Sequence, residues 1–309
     1  MKKKLWSRIV GWILENILLC IISQIIVFAI ISFPLIYYGP FTKIRDAIVT
    51  SAMTTMSHKY IATYFLRDEV INDIMDKNKF DDNKNSNEKD ISVMAINHND
   101  EDLKRENNKN IKIKNIEIRG QEGFVVEIED PTRVKVATAK TIPSVGMQVD
   151  EIAKDSGAII AINGGGFSDP NGVGNGGIPI GIVLKDGKVV YDDKRKEVPS
   201  VIGLNKKGIL ILGKYTKQQA IEKGIVDAVC FHPFLIVDGK PLIKSGDGGW
   251  GFAARTGIGQ KQDGTVVFVV INGRNKDGLG ASLKDLQDVM LQYEVYNGAN
   301  LDGDRKSVV

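Results

Sequence analysis

Four glycine-rich clusters carry the side chains that could do chemistry, because in each of them polar residues stand beside glycines near an apolar run. Glycine allows close approach of a backbone to a ligand or a positive φ, and polar residues on such turns can face a cleft. Taken alone, each cluster is more simply explained as a turn or bulge of a β-rich domain. The clusters are Asn163-Gly164-Gly165-Gly166-Phe167, Gly246-Asp247-Gly248-Gly249-Trp250-Gly251, Arg255-Thr256-Gly257 with Asn272-Gly273-Arg274 one strand later, and Asn300-Leu301-Asp302-Gly303.

Several familiar site types are excluded by what surrounds these clusters. No Gly-Lys-Ser/Thr and no helix pattern follow Asn163, which excludes a P-loop and a dinucleotide fingerprint. The only histidine of the distal region, His232, lies in an apolar stretch before Pro233 and does not suggest a catalytic triad. Cys20 and Cys230 cannot build a disulfide framework or a thiolate metal site. The sequence therefore predicts no metal site and requires no cofactor, and the net charge of +3 predicts no nucleic-acid partner.

The order of the clusters is more informative than any one of them. Asn-Gly-Gly-x-Phe is followed by Pro-x-Leu-Ile-Val-Asp-Gly, Ala-Arg-Thr-x-Ile-Gly, a strand ending in Asn-Gly-Arg, Gly-Ala-Ser-Leu and Asn-Leu-Asp-Gly. This series resembles the phosphodiester glycosidase family over residues 111–303. The resemblance implies hydrolysis of a glycosidic bond to a phosphodiester, and bacterial members of that family are often associated with exopolysaccharide or cell-envelope metabolism.

The resemblance also implies roles for the charged residues of the clusters. A sugar 1-phosphodiester carries one negative charge, which the guanidinium groups of Arg255 and Arg274 would bind. A carboxylate is needed to activate water or to stabilise positive charge at the anomeric carbon. Asp302 is the first candidate for this catalytic role and Asp247 is the second.

The uncharged residues of the clusters complete the expected substrate site. The amides of Asn163 and Asn272 would hydrogen-bond to sugar hydroxyls or phosphate oxygens. A rival hypothesis is a non-catalytic glycan-binding or polysaccharide-assembly factor on the same fold, since a fold does not determine a function. The remaining residues of the expected binding set are Gly164, Gly165, Phe167 and Thr256.

The elements that must position these residues are mostly strands. Apolar and polar residues alternate from residue 111, and further strands are expected at TRVKVATAK, AIIAIN and TVVFVVING. Asp-Gly pairs at Asp186 and Asp238 predict hairpins, and Ser282 is expected to cap an amphipathic helix. Many strands with a few helices predict an α+β fold with a β-rich mixed sheet.

An uninterrupted apolar segment, Ile17–Tyr38, precedes this domain. At ~1.5 Å per residue it forms about 33 Å of helix, enough to cross a hydrocarbon core of about 30 Å. The run is too long for the core of a cleaved signal peptide. Lys2, Lys3, Lys4 and Arg8 flank it on the N-terminal side, so we expect a single-pass plasma-membrane protein with a cytoplasmic N-terminus and an extracellular main domain.

The expected division of the chain follows from these patterns. Residues 1–39 form the cytoplasmic tip and anchor, 40–75 a membrane-proximal helical segment, 76–108 a polar stalk and 109–303 the glycosidase-like domain. Residues 304–309 depart from the family pattern, in which further Gly and Ser follow Leu-Asp-Gly. We therefore expect these six residues to be non-native, the domain to be truncated and this chain itself to be inactive.

Overall fold

The computed structural model describes residues 6, 11–12, 16–54, 58–93, 110–168, 176–273, 275 and 278–303. Arg274, residues 304–309 and most of the second half of the predicted stalk lie outside these ranges. The chain divides into two compact units, Met1–Ile74 and Met75–Val309.

The N-terminal unit contains one long apolar helix, α1 (Ile17–Tyr38), whose most apolar stretch has a mean hydropathy of 2.6 and is not buried by protein. Its length and composition suit a membrane span, and a signal sequence near the N-terminus would meet the same criteria. The Tyr37 hydroxyl donates to the carbonyl of Ile61 at 2.6 Å, which ties the end of α1 to the following segment. That segment contains α2 (Thr42–Met53), α3 (Tyr60–Thr63) and α4 (Asp68–Lys77).

The distal unit is built on two antiparallel sheets, so the predicted α+β class is confirmed. In the described residues the seven-stranded sheet has the order β1-β2-β11-β10-β12-β8-β9, and the five-stranded sheet has the order β4-β3-β7-β5-β6. The strands are β1 (Ile111–Ile118), β2 (Gln121–Ile128), β3 (Ile182–Lys185), β4 (Lys188–Asp192), β5 (Ser200–Asn205), β6 (Leu210–Lys214), β7 (Ile225–Cys230), β8 (Phe234–Val237), β9 (Lys240–Pro241), β10 (Arg255–Gln260), β11 (Val266–Ile271) and β12 (Asn297–Leu301). The helices are α5 (Val149–Ser156), α6 (Lys217–Glu222) and α7 (Leu283–Gln292).

Alternating side chains of these strands divide between three apolar layers. Phe268 of β11 and Ile202 of β5 pack in one cluster, which places the main core between the two sheets. Val267 of β11 packs instead with residues of α7, and Val201 of β5 packs in a cluster that includes Ala220 of α6. The period-two alternation of a strand therefore buries both faces of each sheet.

The predicted turns and cap are present. Asp186 and Gly187 have φ of 48° and 76°, and Asp238 and Gly239 have φ of 51° and 71°. Two successive residues with positive φ match the tight hairpin turn that Asp-Gly favours. At the start of α7 the Ser282 hydroxyl accepts from the Asp285 N–H at 3.0 Å, which satisfies one of the donors that a helix start leaves free.

Two expected strands are absent from the ladders of the described residues. The stretch after Asp130 begins with a short 3₁₀ turn at Pro131–Arg133, and the Val136 N–H donates to the Asp227 carboxylate at 3.2 Å instead of to a neighbouring strand. Residues 158–163 also form no named strand, and only Ala161 makes an isolated bridge. Both stretches are apolar enough for strands, but in the first of them the Asp227 carboxylate takes the place of a strand partner.

The first part of the predicted polar stalk packs on the distal domain. The Ser86 N–H donates to the Leu212 carbonyl at 2.8 Å, and the Ser92 N–H donates to the Gln262 carbonyl at 2.8 Å. The Asn87 N–H donates to the Asp238 carboxylate at 2.8 Å, and Asn78 is 9% exposed. We call residues 78–92 the strap. Its backbone and some of its side chains bond to the domain, including the edge strand β6, while most of its residues stay exposed to solvent.

Candidate active site

The Asn163 cluster is a tight turn that lies against the end of β7. The Gly166 N–H donates to the Cys230 carbonyl at 3.0 Å, and the Gly166 carbonyl accepts from the Ile180 N–H at 2.8 Å. A Cβ atom added at Gly165 would lie 2.7 Å from the Cys230 carbonyl oxygen. Close packing on β7 therefore requires glycine at position 165.

Strand β12 carries Asp302 to the same turn. The Asp302 N–H donates to the Gly164 carbonyl at 3.1 Å, and β12 lies inside the seven-stranded sheet between β10 and β8. Asn163 is 8% exposed, whereas Asp302 is partly exposed. The tertiary structure thus joins two of the glycine clusters that are far apart in the sequence.

A cavity of about 250 Å³ opens beside this junction, and we call it the Asp302 cavity. Its polar groups include the Asp302 carboxylate and the side-chain amides of Asn163 and Gln148. Its apolar walls come from α5, from the turn and from the end of β7. Of the residues expected from sequence, it brings together Asn163, Gly164, Gly165, Phe167 and Asp302.

Asp247, the second candidate carboxylate, does not line the Asp302 cavity. Its Oδ1 atom accepts from the Gly249 N–H at 2.7 Å, and its own N–H donates to the Asn78 side chain at 3.2 Å. Gly246, Gly248 and Gly249 all have positive φ. These bonds stabilise the glycine-rich loop of residues 246–251, with the strap on one side of it.

Arg255 holds the same loop from inside the domain. Its Nε donates to the Ala281 carbonyl at 2.9 Å, and its Nη2 donates to the carbonyls of Trp250 and Gly251 at 3.0 and 2.7 Å. The residue is 4% exposed, and burial lowers the pKa of its guanidinium to about 10, which the Asp247 and Asp285 carboxylates oppose. Arg255 remains charged at neutral pH, and in this structure it faces backbone carbonyls.

The other residues expected from the third cluster lie on neighbouring strands. Thr256 is 1% exposed within β10, where it pairs with Val270 and Leu301. Asn272 directly follows β11, and its N–H donates to the Glu122 carbonyl at 2.9 Å. Neither lines the Asp302 cavity. Arg274 lies outside the described residues.

An aromatic group stands between the loop and β12. The His232 ring lies 5.1 Å from Trp250 and 5.9 Å from Phe231, measured between ring centroids. The Asn300 side chain donates to the His232 carbonyl at 3.2 Å. Desolvation of the ring by its neighbours lowers the pKa of His232, although the residue as a whole is exposed. His232 is therefore mainly neutral at pH 7.

Three polar residues of the cavity wall were not expected from the sequence: Thr138, Gln148 and Cys230. Gln148 precedes α5, and its N–H donates to the Glu151 carboxylate at 3.0 Å; the three-residue spacing indicated a helix start but no cavity. Cys230 is 3% exposed, and burial raises the pKa of its thiol to about 12. The thiol stays protonated at neutral pH, which makes Cys230 unsuitable as a nucleophile.

Within the described residues, no group of three or more His, Cys, Asp or Glu residues could hold a metal ion. The chemistry available at the Asp302 cavity is that of one carboxylate, two amides, the Thr138 hydroxyl and the backbone of a glycine turn. Such a set can hydrogen-bond to hydroxyl and phosphate oxygens and can accept a proton from water.

The comparisons with known proteins agree with the fold and the motif order. Residues 156–308 match the family model for phosphodiester glycosidases. The catalytic domain of zebrafish N-acetylglucosamine-1-phosphodiester alpha-N-acetylglucosaminidase, auto-inhibited by its pro-peptide, matches with a TM-score of 0.52 at 23% identity, over 63% of this chain and 70% of that chain. At this identity the likeness shows the fold alone.

A hypothetical protein from Synechocystis matches with a TM-score of 0.43 at 16% identity, over 64% of this chain and 59% of that chain, which supports no inference. No curated protein matches the chain. The resemblance inferred from the ordered motifs is confirmed by the family match, and residues 156–308 of this chain belong to the phosphodiester glycosidase family.

Proposed function

We propose that this chain belongs to an enzyme that hydrolyses a sugar 1-phosphodiester in glycans of the cell envelope or of an exopolysaccharide. The observation that supports this most directly is the meeting of Asp302 with the Asn163-Gly164 turn at one cavity, through the 3.1 Å hydrogen bond from the Asp302 N–H to the Gly164 carbonyl. The cavity lies inside the region that matches the glycosidase family.

The proposed reaction uses Asp302 to activate water or to stabilise positive charge at the anomeric carbon. Water adds to that carbon, the bond from the carbon to the phosphate oxygen breaks, and the phosphate monoester leaves with a proton. Because phosphate is a good leaving group, the demand for a general acid is smaller than in ordinary glycosidases. The Asn163 amide and the backbone at Gly164 and Gly165 bind substrate oxygens, and Phe167 packs against the sugar.

The remaining predicted residues take supporting roles in this proposal. Arg255 and Asp247 hold the loop of residues 246–251, whose backbone their side chains contact. Arg274 keeps its proposed role in phosphate binding. Thr256 and Asn272 position the paired ends of β10 and β11.

A glycan-binding protein without catalysis is the second candidate. Glycoside hydrolysis generally uses two carboxyl groups, and of the two candidates only Asp302 lines the cavity. The aromatic rings of Phe231 and Trp250, which pack at 5.9 Å, would suit a sugar-binding surface.

The location proposed for the enzyme is the plasma membrane, with α1 as an uncleaved anchor and the distal unit outside the cell. The charge difference between the two flanks of α1 supports this orientation. Lys2, Lys3, Lys4 and Arg8 precede the apolar run, while Lys43 and Arg45 are the nearest basic residues after it.

The experiment that tests the function is an assay of released reducing sugar with N-acetylglucosamine 1-phosphodiesters, the substrate named for the zebrafish structure. The enzyme to which this chain belongs should release sugar, Asp302→Asn should lower turnover at least about hundredfold, and the matched Asp247→Asn should lower it less. Tight binding without release would favour the glycan-binding candidate. Full turnover in Asp302→Asn would remove this carboxylate from the mechanism.

A further inference from the structure

A second and larger cavity adjoins the Asp302 cavity. It has a volume of about 790 Å³, within the range of ligand pockets, about 300–1,000 Å³. Both cavities are lined by Val136, Ile152, Asn163, Gly164 and Val229. A molecule bound at the Asn163-Gly164 turn could therefore extend from one cavity into the other.

The second cavity penetrates between the two sheets, and we call it the sheet cavity. Its walls there are the apolar side chains of Ile202 and Leu204 from β5, Ile258 from β10, Phe268 from β11 and Leu301 from β12. These residues belong to the cluster that forms the main core. An occupant of this space would exchange water for hydrocarbon contacts over most of its surface.

Three of the five charged residues that line the sheet cavity meet at Asp227. The Asp227 Oδ1 atom accepts from the N–H groups of Val136 and Asp186 at 3.2 and 3.4 Å, and the Lys135 ammonium lies 3.5 Å from Oδ2. These groups satisfy or offset one another at one place. The other polar side chains of the wall are those of Arg133, Ser156, Asn163 and Lys185, and apolar side chains make up the larger part of it. A sugar or a peptide placed among the core residues named above would leave donors and acceptors unsatisfied.

We propose that the sheet cavity binds the hydrocarbon chain of a substrate in which the anomeric phosphate is esterified to a long-chain alcohol, that is, a lipid-linked sugar. This inference rests on the proposed function, because it names the second alcohol of the same phosphodiester. The sugar occupies the small Asp302 cavity, the phosphate lies at the shared Asn163-Gly164 turn, and the chain enters the sheet cavity. Hydrolysis with water then yields the free sugar and the alkyl phosphate monoester.

The chain's own architecture suits such a substrate. Helix α1 has the length and apolar composition of a membrane span, and long-chain alcohol phosphates reside in membranes. Burial of apolar surface provides the affinity, and each buried methylene group raises the binding constant about fourfold. A short-chain diester would forgo this contribution.

The test uses the full-length protein in lipid nanodiscs and two diesters of N-acetylglucosamine 1-phosphate, one with methanol and one with decanol that carries a diazirine at its far end. We expect the decyl ester to have a kcat/KM at least about thirtyfold above that of the methyl ester. Irradiation of the bound decyl ester should label residues of the sheet cavity, with Leu204 and Phe268 among them.

A cavity-filling variant and a matched control sharpen the result. Ile160→Trp places an indole at the wall of the sheet cavity, and we expect it to lower the decyl-to-methyl ratio at least about tenfold and to remove the label. Ile221→Trp makes the same change on an exposed position of α6 and should retain the wild-type ratio. Urea unfolding of both variants verifies that they fold.

The outcomes separate this inference from the proposed function. Equal rates for the two esters, or labels confined to other regions, overturn the proposal that the sheet cavity binds the hydrocarbon chain, while the proposed hydrolysis stands. If neither ester is hydrolysed, the proposed function is overturned. The labelled positions alone then show whether the decyl chain occupies the sheet cavity.

Discussion

Replacement of Arg255 by lysine should destabilise the distal unit, because the arginine makes three buried hydrogen bonds to backbone carbonyls. They join Nε to Ala281 at 2.9 Å, and Nη2 to Trp250 and Gly251 at 3.0 and 2.7 Å. A lysine ammonium on a flexible stem cannot reproduce the fork and should lose about two of them. At about 1.5–3 kcal/mol for each bond from a charged donor, the free energy of unfolding should fall by roughly 3–6 kcal/mol.

Urea unfolding monitored by tryptophan fluorescence measures this loss, because Trp250 is part of the loop that Arg255 holds. A loss of about 3 kcal/mol corresponds to a melting temperature lower by roughly 6–12 °C for a domain of this size. Arg119→Lys is the matched control. Arg119 forms an ion pair with Asp285 at 3.0 Å while its side chain is 60% exposed, so its replacement should cost less than about 1 kcal/mol.

The sequence-based hypothesis for Arg255 leads to a different result. If the guanidinium binds substrate phosphate, Arg255→Lys should lower kcat/KM and leave the unfolding curve close to wild type. An unfolding free energy within about 0.5 kcal/mol of wild type, together with a tenfold or larger loss of hydrolysis, would refute the structural role and restore the phosphate role.

Three further predictions concern the strap, the buried thiol and the membrane orientation. Asn78→Ala removes the side-chain acceptor of the Asp247 N–H and should lower the free energy of unfolding by about 1–2 kcal/mol. The control Asn83→Ala, at an exposed position, should cost less. Equal effects of the two changes in urea unfolding would contradict the role of Asn78. Burial raises the pKa of Cys230 to about 12, above the value of about 8.5 in an unfolded chain. Between these two pKa values the unfolded state binds fewer protons than the folded state, so the thiol's contribution to stability is complete below about pH 8.5 and is lost as the pH rises. Between pH 8 and pH 10 the free energy of unfolding of wild type should therefore fall by about 1–2 kcal/mol more than that of Cys230→Ala. Parallel losses in the two proteins would contradict this. Protease added to intact cells should degrade the distal unit, and complete protection until lysis would reverse the proposed orientation.

Sequence alone determined the features whose deciding interactions lie within a few residues. The apolar run of α1, the Asp186-Gly187 and Asp238-Gly239 hairpins and the Ser282 cap follow from local hydropathy, φ preferences and side-chain capping. The family could also be identified from sequence, because the order of the glycine clusters is a property of the chain itself.

Only the tertiary structure decided which polar groups meet. The substrate roles expected for Asp247 and Arg255 stay predictions. What the structure adds is that both side chains contact the backbone of the loop of residues 246–251, and that Asp302 is the one of the two aspartates that lines the cavity at the Asn163 turn. The polar composition of the stalk also did not reveal that the strap bonds to the domain, as Ser86 does to Leu212. Polar side chains and backbone groups bond to whatever the folded chain brings near them, and local patterns do not contain that information.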